Sequence, residues 1–237
     1  MYPWFIWKGI DSRSMGVWVS ELPAIIRASE RTQDISIPGR AGTLTLKEGE
    51  NVHDGYLKNC RITVRADADF ESLLTWLSGE GEAVFSNEPD RSYTARIADE
   101  VRFEKNGNWL RTATVPFYVH PHKAQYPPEA DITLDASGSL SNPGSVASKP
   151  VLTLTFTETC TVVFGESTMA LTDAEPAEGE SYAEKTVKID CDAEIITCEE
   201  EIWDGSYSGD FPQIPPGASE YALTDCTGTL TPRWRWY

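Results

Sequence analysis

The 237-residue sequence has few of the features that mark a membrane span, a secreted framework or an enzyme. No stretch reaches the roughly 18–20 apolar residues that a bilayer-crossing helix needs. The opening MYPWFIWKGI is apolar but short. It has no basic leader, carries Pro3 and is followed by no small-residue cleavage site, so it does not read as a signal peptide. The expected place of synthesis is a cytosol. Basic residues are scarce, 20 Lys+Arg against 37 Asp+Glu, for a net charge of −17. That balance excludes a nucleic-acid coat or a basic membrane-surface protein, because bringing a polyanion to such a surface costs energy. The five cysteines are Cys60, Cys160, Cys191, Cys198 and Cys226. They are odd in number, contain no C-x-x-C and fit neither a zinc ribbon nor a small disulfide framework. They are expected to be buried or half-buried free thiols in strands. Cys191 and Cys198, seven apart, would face opposite sides of one continuous strand.

Catalytic signatures are missing as well. The sequence contains no G-x-S-x-G, H-E-x-x-H, Walker A or G-x-G-x-x-G. Its histidines are His53, His120 and His122. An H-x-H on a strand can offer two metal ligands on one face, with His53 as a third. Pro121 interrupts that strand, so His120 and His122 are expected in a solvated linker. Asp190, Asp192 and Glu194 would share one strand face, expected to be solvated rather than a glycosidase carboxylate pair. Asp173-Ala-Glu-Pro-Ala-Glu-Gly-Glu180 lacks the calcium-loop pattern and reads as a flexible acidic loop. No catalytic, cofactor-binding or metal residue is assigned.

What is present is a β-rich chain with 40% hydrophobic and 11% aromatic residues, enough for packed cores. Its length fits one large domain or two ordinary ones. Strand-like pieces such as Gly16–Ser20, Cys60–Arg65, Thr112–Val119, Val151–Phe156, Cys160–Phe164 and Thr186–Asp190 are rich in β-branched and aromatic residues. Asn106-Gly107 marks a hairpin between Val101–Glu104 and Trp109–Thr112. One helix stands out over 69–79, with Phe70, Leu73, Leu74 and Leu77 on the face expected to pack on a sheet and Gly79 as C-cap. Prolines 121, 127 and 128 place a domain boundary near 121–131. The charge divides there. Residues 1–127 hold 15 Lys+Arg and 17 Asp+Glu, and residues 128–237 hold 5 and 20, which together make the 20 and 37 of the chain. Of the eight tryptophans, Trp18 and Trp76 sit in core patterns. Trp234 and Trp236 alternate as in a terminal strand, and their shared face is expected to be core or subunit interface.

Ile35-Ser-Ile-Pro-Gly-Arg-Ala-Gly42 has a physical reading of its own. Pro38 pre-sets φ, Gly39 permits a positive φ that turns the chain sharply, and Gly42 allows a second close approach. Arg40 is thereby presented at a turn.

The same piece is similar to the "I-x-(V/I)-P-G-R-x-G" element of the distal tail protein (Dit) family of long, non-contractile-tailed bacteriophages and prophages. Other pieces in order resemble that family. Phe5–Ser12 followed by Met15–Val19 looks like its first hairpin. Tyr56, the strand Cys60–Arg65, the helix ending Thr75–Gly79, Phe85–Tyr93 and Phe117–Lys123 follow, with His120 where a cysteine is common. Ser141–Gly144, Lys149–Leu152, Lys188–Asp190, Gly209–Gly217 and Pro232–Trp234 resemble its carboxy-terminal half more loosely, with Ala218 where an Asn is usual.

The resemblance implies a mainly-β protein of two domains. Residues 1–127 would be a β-sandwich with the 69–79 helix, which forms the ring and docks on the tail tube. Residues 128–237 would be a galectin-like β-sandwich. It further implies a homohexameric ring at the distal end of the tail, bound to the major tail tube protein and to a tail-tip (tail-associated) protein, and in some phages to receptor-binding proteins. Phage DNA would pass the channel without specific binding. The location would be the virion tail tip after assembly in the host cytoplasm, with no cofactor and no membrane. Pro38, Gly39, Arg40 and Gly42 are the motif residues, with Arg40 a candidate subunit contact. Two other readings stand beside it. A carbohydrate-binding module is suggested by the galectin-like likeness and the tryptophans, but residues 128–237 hold no histidine for a galectin-type site. A glycosidase rests on carboxylate abundance alone.

Overall fold

A computed structural model describes the chain apart from Met1, Glu48, Glu50, Asn51, Ala98, Ala177 and Gly179. It is mainly β, with one short helix among the described residues, and divides into two compact units, Met1–Pro127 with Tyr237, and Pro128–Trp236.

The first unit contains β1 (Phe5–Trp7), β2 (Ile10–Asp11), β3 (Trp18–Glu21), β4 (Thr32–Ser36), β5 (Thr43–Lys47), β6 (Tyr56–Arg65), α1 (Phe70–Trp76), β7 (Glu80–Phe85), β8 (Glu88–Ile97), β9 (Glu104–Asn106) and β10 (Leu110–Gln125). One antiparallel sheet runs β2-β1-β7-β8-β10-β6-β3, with β9 on β10, while among the described residues β4 and β5 form a two-stranded sheet of their own. Strict alternation explains the sheet's inner face. Cys60, Ile62 and Val64 of β6 and Val115, Phe117 and Val119 of β10 all point into one core. Phe5 stacks on Trp76 at 5.5 Å, and Phe117 meets Trp7 edge-on at 5.3 Å. The indole N–H groups of Trp7 and Trp76 donate to each other's backbone carbonyls (2.9 and 3.1 Å), fastening helix to sheet.

The helix is shorter than the 69–79 expected. Asp69 caps it by accepting from Ser72 N–H, Leu77 is the C-cap, and Gly79 (φ +70) lies two residues beyond. Its buried face is Leu73, Trp76 and Leu77, with Leu74 exposed. Trp76 wins the core position because its large ring fills the space between β1 and the helix. Trp18 goes the other way: it is 52% exposed. Val17 and Val19 take the inner positions, and the period of two then puts Trp18 outside. The Asn106-Gly107 hairpin forms with the three-residue loop Gly107–Trp109, so Trp109 leaves the strand and is 82% exposed. Nor do His120–His122 form a linker: β10 runs through Pro121, where its register against β8 shifts between Val119 and Lys123. Such an irregularity asks no ladder hydrogen bond of the proline.

The second unit contains β11 (Ile132–Leu134), β12 (Ser137–Asn142), β13 (Val151–Phe164), β14 (Ser167–Thr172), β15 (Lys185–Asp190), β16 (Ile195–Cys198), β17 (Glu201–Ile202), β18 (Ser206–Gly209), β19 (Gly217–Thr231) and β20 (Arg235–Trp236). The long strands β13 and β19 build both layers of a sandwich. The first part of β13 pairs with β15 and its last part with β14. Likewise β19 pairs first with β12 and then with β11. Where the two strands bend, their mutual register slips between Phe156 and Thr161. A disulfide joins Cys160 to Cys226 there, across a Cα separation of 5.5 Å. This corrects the expectation of free thiols for two of the five cysteines. Cys60, Cys191 and Cys198 are free, and Cys191 lies in a turn rather than on a strand with Cys198. The core holds Leu152, Leu154, Val162, Phe164, Leu171, Val187, Ile189 and Trp234, with Trp236 packed against it.

Candidate assembly surface

Pro38, Gly39, Arg40 and Gly42 form the tip of the β4–β5 hairpin. Gly39 and Gly42 both have φ of +82, a left-handed conformation closed to most side chains. The register pairs Gln33 with Leu46 and Ile35 with Leu44, so these side chains share one face. Asp34 with Thr45, Thr32 with Lys47 and Ser36 with Thr43 line the other. The hairpin is therefore amphipathic, yet Ile35, Ile37, Leu44 and Leu46 are all exposed. A two-stranded hairpin on its own is marginal in water, and an uncovered apolar face on one is a contact surface. Arg40 makes no ion pair or side-chain hydrogen bond among the described residues.

The chain leading into this hairpin is clamped to the sheet by a buried ionic cluster. The Lys58 ammonium, fully buried on β6, donates to the Ala24 carbonyl at 2.9 Å and lies 3.5 Å from Glu88 Oε2. Lys123 on β10 donates to Glu88 Oε1 at 2.7 Å, and the Tyr93 hydroxyl donates to Glu88 Oε2. Lys58 also sits 4.5 Å over the Tyr93 ring. Tyr56 donates to the Ile26 carbonyl (3.1 Å) and the Asn87 amide to the Pro23 carbonyl (2.9 Å). Residues 23–26 thus hang from two side chains of β6 and one from the turn between β7 and β8.

The cluster's proton affinities follow from its burial. Desolvation lowers Lys58 from its ordinary value, although Glu88 opposes this. Burial pushes Glu88 up, but hydrogen bonds from Lys123 and Tyr93 and the Lys58 charge outweigh it and leave the carboxyl below its usual range. Burial raises Tyr56 to about 12 and, with help from Glu88, Tyr93 further still.

Sequence reasoning missed this cluster as a unit. Glu88 and Tyr93 belong to Phe85–Tyr93, Lys123 to Phe117–Lys123, and Lys58 stands just before Cys60–Arg65. Three motif pieces converge here, but a lysine in a strand ordinarily reads as solvated.

The remaining candidates separate. His53 and His122 come together, rings 6.0 Å apart with Tyr237 against both, while His120 is exposed elsewhere. Among the described residues no group of three or more His, Cys, Asp or Glu could hold a metal. Asp190 and Asp192 are not a bare solvated face, because each is held by an arginine. Arg233 grips Asp190 through two 2.8 Å bonds, and Arg235 bonds Asp192 at 2.6 Å. Glu194 lies in the turn beyond (φ +57). Of the acidic segment 173–180, Asp173 is buried against Lys185 at 2.8 Å, and Ala177 and Gly179 lie outside the described residues. In the second unit Trp203 and Trp234 are buried and Trp236 is half-buried, so they form no exposed stacking platform. Asn142, of Ser141–Gly144, donates to the Val146 and Ile214 carbonyls and so ties that turn to the Gly209–Gly217 segment.

No protein-family model and no curated protein matches the sequence. Among solved structures the chain is similar to the crystal structure of SPP1 Dit (gp 19.1), described as a paradigm of hub adsorption apparatus in Gram-positive-infecting phages. The TM-score is 0.71 at 15% identity, covering 98% of this chain and 99% of that one. The two share a fold along their whole length.

Proposed function

We propose that this chain is a structural component of a bacteriophage or prophage tail, a hub that closes into a ring at the distal end of a long, non-contractile tail. The observation that carries this reading is the whole-length fold likeness to SPP1 Dit, over both units and all but 2% of the chain. Two features of the molecule agree with it. The amphipathic β4–β5 hairpin leaves an apolar face that a second copy can cover. The net charges of −2 and −15 in the two parts of the sequence suit a self-packing ring domain and a solvated outer domain. Residues 1–127 would form the ring and dock on the tail tube. Residues 128–237 would face outward, toward a tail-tip protein and receptor-binding proteins. The channel would pass DNA without binding it. The role is structural rather than enzymatic, and its place is the virion.

Light scattering and negative-stain imaging of the purified chain test this. Six copies of a 26.3 kDa chain give about 158 kDa, or twice that for stacked rings. A ring of that mass supports the reading. A particle of one-chain mass at every concentration up to the millimolar range overturns it.

A further inference from the structure

We infer that the outer sheet face of the first unit, around Trp18, Arg65, Asp67 and Trp109, is a binding site for a neutral oligosaccharide. Strand register brings these residues together. Val17 and Val19 point inward around β3, and Ile62 and Val64 do so on β6. Trp18, opposite Thr63, and Arg65, opposite Leu110 of β10, therefore share the outer face. Trp109 joins them, exposed, from the β9–β10 loop. The two indoles flank a hollow of about 480 Å³ that Arg65, Asp67, Asn108 and Leu110 also line, a size usual for a small-ligand site. A second hollow, of about 340 Å³, is lined by Arg65 and Asp67 too and runs on to Ser14 and Ser72. Because the two share Arg65 and Asp67, they form one groove with this ion pair where they meet.

The lining selects the ligand. Flat apolar indole faces beside polar groups match a pyranose ring, which has C–H faces and a hydroxyl rim. Arg65 gives Asp67 two hydrogen bonds of 2.9 Å, from Nε and Nη2. That leaves three of the five guanidinium N–H donors, and lone pairs on both Asp67 oxygens, for other partners. Donors and acceptors side by side suit adjacent hydroxyls, each of which both donates and accepts. Charge excludes the competitors. Arg65 and Asp67 are the charged residues lining the aromatic hollow, and they cancel. A polyanion therefore finds no uncompensated cation there and a basic peptide no uncompensated anion, and the chain's net −17 repels anionic polymers further.

The site is also set before a ligand arrives. The Ala66 N–H donates to the Trp109 carbonyl at 2.8 Å, which fastens the hairpin loop to the turn after β6. Asp67 in that turn holds the Arg65 guanidinium. Binding then orders little that was free. The groove belongs to one copy of the chain, so it does not depend on the ring reading.

The test titrates the full chain, by calorimetry and indole fluorescence, with three probes. Two are tetramers of β-1,4-linked N-acetylglucosamine and of β-1,4-linked glucose, and the third is a sulfated polysaccharide. At least one neutral tetramer should bind with a dissociation constant of about 1 mM or tighter. Trp109→Ala and Asp67→Ala should each weaken that binding at least tenfold, with thermal unfolding unchanged because both side chains are exposed. Trp109→Tyr, which keeps an aromatic face, should retain most of it. Ile202→Ala, at an exposed position of the second unit, should leave it unchanged. A folded chain that binds neither tetramer overturns the site, as does binding that survives Trp109→Ala or binding of the sulfated polymer alone. Trp109→Ala lowering the particle mass by light scattering, in a chain that binds no tetramer, would make this face a contact between copies; it overturns the site and leaves the ring reading standing. A chain that binds a tetramer through Trp109 yet never forms rings supports the site and removes the ring reading.

Discussion

One charge cluster of the first unit and one of the second are held in opposite ways. In the first, Lys58, Glu88 and Lys123 are drawn into the interior, where the lysines outnumber the one carboxylate and each group is held by hydrogen bonds. In the second, Arg233–Asp190 and Arg235–Asp192 lie half-exposed along the unit's surface. The difference teaches what each arrangement is for. A buried cluster costs desolvation and returns a fixed geometry, here the fixed root of an exposed hairpin. A surface pair costs little and contributes little; here it ties the Pro232–Arg235 segment to the turn after β15.

The largest break in that comparison comes from removing the shared carboxylate. Glu88→Ala leaves two ammonium groups buried with no counter-charge. Stranding a buried charge in this way costs about 3–5 kcal/mol. Chemical denaturation should show this loss in the first unit's transition, with the second unit's unchanged. Lys58→Met should cost less, because Glu88 keeps Lys123 and the apolar chain fills the same space. A Glu88→Ala protein as stable as the wild type would mean that the cluster is solvated in solution.

The disulfide breaks the second unit in turn. Cys160 and Cys226 are 66 residues apart and join β13 to β19 where both strands bend. Losing a cross-link over a loop of that length costs about 2–4 kcal/mol. Cys160→Ser, or full reduction, should lower the second unit's midpoint and leave the first unit's in place. Equal midpoints under oxidising and reducing conditions would show that the bond contributes nothing.

Much of the architecture could be read from residue order. Alternation in Cys60–Arg65 and Thr112–Val119 marked β6 and β10, and the helix announced itself through Asp69 and its apolar spacing. Pro38-Gly39 marked a turn, as the positive φ of Gly39 attests. Other features depend on partners distant in sequence. Trp18 looked like core until Val17 and Val19 took the inner face. Lys58, Glu88 and Lys123 are each about thirty residues from the next, and no local pattern says that a strand lysine will be buried. The Cys160–Cys226 pairing exists only because two long strands run side by side. The hairpin's turn was legible in the same way, but its uncovered apolar face was not, because alternation gives a face without saying what lies against it.

The smallest expected effect concerns Arg233 and Asp190. The twin hydrogen bonds from Arg233 hold the Asp190 carboxyl at about 2, against an ordinary 3.8, despite partial burial that acts the other way. A carboxyl whose folded-state value is depressed stabilises the fold above its unfolded value and loses that contribution as pH falls toward the folded one. The pair's stabilisation should therefore be constant from neutrality down to about pH 4 and vanish between about 4 and 2. Because both side chains are about one-third exposed, solvent screens the pair and its worth is about 0.2–1 kcal/mol. Asp190→Asn should lower the second unit's midpoint slightly at pH 7 and flatten its acid dependence between pH 4 and 2. The gap from wild type should narrow in molar salt, where exposed charges are screened within about 3 Å. Glu88→Ala should keep its penalty in the same salt, since its charges lie beyond the reach of screening ions. A salt-insensitive Asp190 and a salt-sensitive Glu88 would invert the contrast between the two units.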